Sequence, residues 1–179
     1  MADLSSKRVA IVVDDYFEQA EFTGPLDALK QAGIQVDVIS TEGGEIHGLN
    51  HVDMGDTFQS DMSTAEANPD DYDALVLPGG AVNADALRVD EDVQQWVQQF
   101  LKAGKPVAAI CHAPWLLASA GVLENKTLTS WPTIQDDLKN AGATWVDEEV
   151  HVDGNLITSR KPDDIPAFNR EIISALSAS

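Results

Sequence analysis

The stretch Lys105-Pro106-Val107-Ala108-Ala109-Ile110-Cys111-His112-Ala113-Pro114 holds the only cysteine of a 179-residue chain. Val107 to Ile110 is a short apolar run that stops abruptly at Cys111, the pattern of a strand buried on both faces. Proline is poorly tolerated inside a helix but well placed in its first turn, so Pro114 lets a helix open just after His112. The thiol therefore falls at a strand-to-helix turn with a histidine beside it. Backbone N–H groups at a helix start favour negative charge, and hence thiolate over thiol. A lone cysteine is more often a small buried hydrophobe; the turn and the neighbouring His112 favour a nucleophile here.

Outward from this stretch, strand and helix patterns alternate. Arg8 to Val13 (RVAIVV) is a β-branched run that predicts a doubly buried strand, and Glu18 to Ala32 reads as a helix closed by Gly33. Pro25 inside that helix predicts a kink or a broken first turn. Ile34 to Ile39 and Asp73 to Leu77 are further strands, with a hairpin excursion from Glu42 to Phe58 between them. Val89 to Lys102 is helical, with Val93, Trp96, Val97 and Phe100 on one face. A helix from about Ala113 to Ala120 follows the cysteine. Beyond it come a helix over Pro132 to Asn140, strands at Trp145 to Val152 and Leu156 to Ser159 joined by Asp153-Gly154, and a closing helix from Ile165 to Leu176. Alternation of this kind implies right-handed βαβ crossovers, a largely parallel sheet and helices on both faces. Ligands of such sheets bind beyond the carboxyl ends of the strands. The loops Asp14 to Glu21, Pro78 to Asp85 and Cys111 to Pro114 meet that description, and the geometry predicts that they converge.

Length and composition fit one domain over residues 1–179, with residues 1–6 flexible. The hydrophobic share of 44% suits a soluble globular protein, and no apolar run approaches the ~20 residues of a membrane span. Residues 1–8 show no secretory pattern and a single cysteine forms no internal disulfide, so the expected location is the cytoplasm. The formal charge of −19, from 30 acidic and 11 basic residues, argues against nucleic acid and anionic membranes as partners.

Each converging loop offers a chemical group. Glu18 and Glu21, three apart at a helix start, can present a carboxyl to the Cys111 thiol. An ionised carboxylate there would oppose the thiolate; a protonated one would donate a hydrogen bond to sulfur and serve as general acid and base. The plainer reading is that both glutamates complement the helix N-terminus. Gly79-Gly80 lets a backbone N–H approach a ligand, and the N–H groups of Gly80 and His112 together can form an oxyanion hole. His112 itself activates the thiol, positions substrate, or points away. Trp115 walls the site or packs in the core, while Trp96 and Trp145 serve the core or an interface. His47 and His51 are four apart outside any helical pattern, and His151 lies in a late strand. No cluster has zinc spacing and no phosphate-binding glycine motif is present, so neither metal nor cofactor is expected.

Four motifs in order (VVDDYFEQAE, ALVLPGG, AICHAP and LTSWPTIQDDL) resemble the PfpI intracellular protease family. Its wider superfamily includes the parkinsonism-associated deglycase and class I glutamine amidotransferase-like domains. The resemblance runs from Lys7 to Leu176. It implies a flavodoxin-like three-layer α/β sandwich with a nucleophile elbow, assembled as a homodimer or as a hexameric ring of dimers. It places the nucleophile on Cys111, the histidine on His112, the thiol-contacting carboxyl on Glu21 with Glu18 nearby, and the oxyanion hole on Gly80 and His112. In ring-forming members an adjacent subunit supplies an acid to the histidine. The nearest acid here is Asp85, shorter by a methylene and shifted in register from the expected glutamate. Trp131 stands where relatives carry tyrosine or histidine.

Three functions are compatible with this reading. A glyoxalase III or deglycase enzyme would attack a small reactive aldehyde or its protein adduct with Cys111 and move a proton with Glu21. An intracellular cysteine peptidase would use His112 as base on a peptide substrate. A non-catalytic redox sensor or chaperone would use the same thiol without turnover. Amidotransferase chemistry is disfavoured, because no downstream His-x-Glu pair is present.

Overall fold

The computed structural model describes residues 2–179. In chain order its elements are β1 (Arg8–Val13), β2 (Phe17–Glu18), α1 (Gln19–Gln31), β3 (Gln35–Ser40), β4 (Glu45–Asn50), β5 (Asp53–Gln59), β6 (Met62–Ser63), β7 (Ala74–Leu77), α2 (Ala81–Leu87) and α3 (Glu91–Lys102). There follow β8 (Val107–Ile110), α4 (Pro114–Ser119), β9 (Thr127–Leu128), α5 (Gln135–Asn140), β10 (Thr144–Trp145), β11 (Val150–Asp153), β12 (Leu156–Ser159) and α6 (Ile165–Ser177).

Successive side chains of the central strands part to opposite faces, as the two-residue period of a strand requires. On β1, Val9, Ile11 and Val13 enter one apolar layer with α1 and α6, while Ala10 and Val12 enter the other with α3 and α4. β7 divides in the same way, Ala74 and Val76 against Leu75 and Leu77, and so does β8, Ala108 and Ile110 against Val107 and Ala109. All thirteen of these side chains except Ala74 and Ala108, at 1%, are wholly inaccessible. Burial of each valine, leucine or isoleucine contributes about 1.5–3 kcal/mol, so this strand trio carries much of the driving force for folding. The result is a three-layer α/β sandwich of the flavodoxin-like kind.

The seven-stranded sheet has the order β11-β12-β8-β7-β1-β3-β6. Only β11 is antiparallel, paired with β12 from Val150↔Ser159 to Asp153↔Leu156. The chain leaves β1 for β3 on one side and returns to β7 on the other, so the switch in strand order lies at β1 and β7. A second, three-stranded sheet, β2-β4-β5, stands over this point. It is anchored by Phe58, whose ring lies 5.9 Å from Phe17 and 5.0 Å from Phe22.

Several sequence expectations shift. The helix expected from Val89 begins at Glu91, because Asp90 takes the N-cap and accepts from the Val93 N–H at 3.0 Å. Residues 81–87, expected as loop, form α2. α1 runs through Pro25 without interruption. The expected strand Trp145 to Val152 is divided, since Asp147 is drawn to Arg160 at 2.8 Å instead of entering the ladder. Its hairpin turn is Gly154-Asn155, with Asp153 still paired. Leu4, within the segment expected to be loose, is buried against the α1–α6 layer. Among the described residues no helix is long and apolar enough to cross a membrane.

Candidate active site

Cys111 caps the end of β8 with φ +65°, a left-handed conformation rare for a side chain with a Cβ. Hydrogen bonds on both sides hold it there. Its N–H donates to the Ser159 carbonyl at 3.0 Å, and its own carbonyl accepts from the Trp131 N–H at 2.9 Å. Neighbouring strands thus fix the elbow that the sequence placed after Ile110.

Glu21, in the first turn of α1, is wholly buried. Its Oε1 accepts from the Gly79 N–H at 3.1 Å, and its Oε2 has no nitrogen or oxygen partner. The carboxyl instead lies in hydrogen-bonding contact with the Cys111 thiol. Burial, reinforced by the Glu18 charge, pushes the Glu21 carboxyl up to about 8. Burial likewise pushes the Cys111 thiol upward, with Glu21 adding to the shift, while the N–H groups of Gly80 and His112, aimed at the sulfur, pull it down. This reverses the expectation of a thiol activated by a helix start. α4 has only six residues, and desolvation outweighs what its N-terminus supplies. No lysine or arginine lines the site, so the acid pair does not carry two charges near neutrality.

His112 Nδ1 lies 3.2 Å from Cys111 Sγ. Its ring stacks on Trp131 at 5.8 Å and meets Trp115 edge-on at 5.2 Å, and burial lowers its basicity. No carboxylate of this chain pairs with it: Asp85 is exposed on α2 and makes no hydrogen bond to it. Of the two places read for Trp115, wall or core, it takes the second: it is absent from the cleft lining and packs against the α3–α4 layer. Its indole N–H is turned to Asp137 at 2.9 Å, and it supports His112 from the side.

These groups open on a cleft of about 210 Å³ walled by Trp131, Pro162, Ala81 and Gly80, with Glu18 at its side. The three loops predicted to converge all reach it. Two further residues, His51 and Val52, come from the tip of the β4–β5 hairpin, a placement that no local sequence pattern signals. Gly80 has φ +92°, and a Cβ there would lie 2.6 Å from the Glu18 nitrogen. That glycine is demanded by conformation and by close approach together. Among the described residues no cluster is arranged to hold a metal.

Asn83, which sequence reading passed over, ties two of the loops together. It is wholly buried. Its Nδ2 donates to the carbonyls of Pro78 and Gly79 at 3.0 Å each, and its Oδ1 accepts from the Asp14 N–H at 2.7 Å. Asn83→Ala strands three buried backbone groups and is expected to cost about 2 kcal/mol. Urea unfolding checks this; a loss of only a few tenths would mean the loops hold without the amide.

A mostly parallel sheet with helices on both faces and a cysteine at a strand-end elbow near its switch point places this chain among the flavodoxin-like α/β proteins. Its sequence matches the DJ-1/PfpI family over residues 7–175, and the chain belongs to that family. The Escherichia coli relative named protein/nucleic acid deglycase 2 is 44% identical over 174 residues, spanning 97% of this chain and 99% of its own. A Bacillus subtilis relative, YraA, provisionally named a cysteine protease, is 40% identical over 172 residues, spanning 96% and 99%. The crystal structure of Drosophila melanogaster DJ-1beta superposes with a TM-score of 0.89 at 34% identity, covering 97% of this chain and 92% of that one.

Proposed function

We propose that the protein is a cysteine-dependent stress enzyme acting on reactive α-oxoaldehydes or their protein adducts. The observation that carries this reading is the buried Glu21 carboxyl, held protonated up to about 8 and in contact with the Cys111 thiol. A proton-bearing carboxyl beside sulfur suits chemistry in which a proton must leave one carbon and reach the next. The Cys111 thiol adds across the aldehyde carbonyl, sulfur to carbon and the thiol proton to oxygen. One Glu21 oxygen then gives its proton to the neighbouring carbonyl oxygen while the other takes the hydrogen of the attacked carbon as a proton. Glu21 next delivers a proton to the adjacent carbon and regains one from the hydroxyl of the attacked carbon, leaving a thioester on Cys111. Water hydrolyses the thioester to a 2-hydroxy acid and restores the thiol. Oxidation of one carbon balances reduction of its neighbour, so no external redox partner is consumed. On an adduct, the same attack releases the protein amine or thiol.

The Cys111–His112 contact of 3.2 Å favours a second reading, peptide hydrolysis. That reading needs an acid to orient His112, which in a homodimer or hexamer would be Asp85 from another copy. The deciding experiment measures methylglyoxal and peptide turnover on one preparation with Cys111→Ala and Glu21→Gln. We expect methylglyoxal turnover that both substitutions reduce at least ~100-fold. Turnover surviving Glu21→Gln would remove Glu21 from the proton transfer. Peptide turnover alone, lost in Asp85→Asn, would establish the second reading. Turnover of neither substrate would leave Cys111 as a redox sensor.

A further inference from the structure

The cleft above Cys111 is charged with one sign. Its acids are Glu18 and Glu21, and no lysine or arginine lines it. Arg160, close in sequence to the wall residue Pro162, is committed to Asp164 at 2.9 Å and Asp147 at 2.8 Å. Glu21 is sealed and holds its proton. Glu18 is different: its side chain keeps 13% of its surface accessible, and its carboxylate accepts the His51 backbone N–H, shared between both oxygens at 3.3 and 3.2 Å. Its one nearby ionisable partner is the exposed His51 ring, with Nδ1 3.9 Å away. Although Glu18 stands at the N-cap of α1, its side chain caps nothing. A carboxylate offers about four acceptor sites, and here most of them have no protein donor. Neither helix capping nor an ion pair with Lys or Arg accounts for an acid at this place.

We infer that Glu18 is a specificity-determining residue that filters substrates by charge. The cleft accepts neutral and cationic carbonyl compounds, guanidinium- and amine-bearing ones included. It turns away those that carry a carboxylate or phosphate beside the reacting carbonyl. This rests on the reading of Cys111 as a carbonyl-directed nucleophile, and it adds the class of carbonyl compound. Low-dielectric walls of Val52, Ala81, Trp131 and Pro162 focus the field of the carboxylate into the cleft. At about 5 Å and an effective dielectric near 20, one unit charge alters the local concentration of another by tens-fold or more. An anion would also leave the acceptor sites of Glu18 unused.

The test uses Cys111 as its own probe and needs no turnover. The folded protein is treated with methyl, trimethylammonioethyl and sulfonatoethyl methanethiosulfonate, and modification is followed by mass spectrometry at pH 8. The cation-to-anion rate ratio is divided by the same ratio for free 2-mercaptoethanol. We expect a normalised ratio of at least ~100, reduced at least ~10-fold by Glu18→Gln and inverted by Glu18→Lys. Glu91→Gln, an exposed change on α3, serves as the control for the overall negative charge and leaves the ratio in place. A normalised ratio near one, a ratio insensitive to Glu18→Gln, or a cleft closed even to the neutral methyl reagent overturns the inference. Methylglyoxal and 4,5-dioxovalerate, neutral and anionic α-oxoaldehydes, extend the test to kcat/KM. Absence of turnover with both would sink the proposed reaction, whereas the rate ratio for mixed-disulfide formation alone decides the filter.

Discussion

Gly79→Ala is expected to destabilise the fold by about 3 kcal/mol and to lower activity at least ~100-fold. A Cβ at residue 79 would press on Glu21 Oε1 and stand 2.6 Å from the Ile110 carbonyl oxygen and 2.7 Å from Cys111 Cβ. Two of those atoms belong to the end of β8 and its elbow, and the third to a buried carboxyl with no room to retreat. The added methyl therefore separates the two reacting groups or shifts the strand between them. Either displacement is near 1 Å, enough to spoil the alignment of a proton donor with sulfur. Thermal unfolding should show a midpoint lowered by about 6–12 °C for a chain of this size, and methylglyoxal turnover measures the second effect. A variant of unchanged stability and activity would mean that β7 and β8 are not packed as described.

Glu21 should make stability depend on pH in a direction opposite to that of an ordinary paired carboxylate. Its folded-state value, about 8, lies above the 4.5 of an exposed glutamate. Below pH 4.5 the carboxyl is protonated folded or unfolded. Above that, the unfolded chain releases a proton that the folded chain retains, so stability falls as pH rises towards 8. The full loss is on the order of 4 kcal/mol. Glu21→Gln keeps the acceptor for the Gly79 N–H and removes the titration. Its stability relative to the wild type should therefore climb from pH 5 to pH 9, read from urea midpoints at each pH. The subtraction removes the general repulsion of a chain with net charge −19. A gap that stays flat would mean that Glu21 is already ionised at pH 5.

The central strands were legible because their chemistry is local. RVAIVV and VAAI alternate between two buried layers, and no other element tolerates such runs. The elbow was legible for a similar reason, since an apolar run broken by Cys-His-Ala-Pro leaves little choice of turn. What escaped reading depends on contacts distant in sequence. α2 was missed because AVNADAL has seven residues, begins directly at Gly80 and buries only Asn83, Ala84 and Leu87. Asn83 resembles any loop asparagine until Pro78, Gly79 and Asp14 close around it. His51 and Val52 lie at a hairpin tip 30 and 31 residues from Glu21, and only the β2–β4 pairing at Phe17↔Gly48 brings them over the cleft. The ionisation of the thiol was misjudged because neighbouring residues reveal a helix start but not the depth at which sulfur is buried.

The small β2-β4-β5 sheet has one more implication. The reacting groups are built on the ends of β7 and β8 and the first turn of α1, inside the layers that keep the chain folded. The hairpin tip over them is mostly exposed, with Val52 at 90% and Met54 at 64% accessible. Substitutions at the tip meet little resistance from packing, whereas those beneath it threaten the whole molecule. The proposed chemistry and charge filter, and the outer rim of the cleft, are thereby placed under separate constraints. One scaffold can retain a single reaction over long divergence while its tip is rewritten for new molecules.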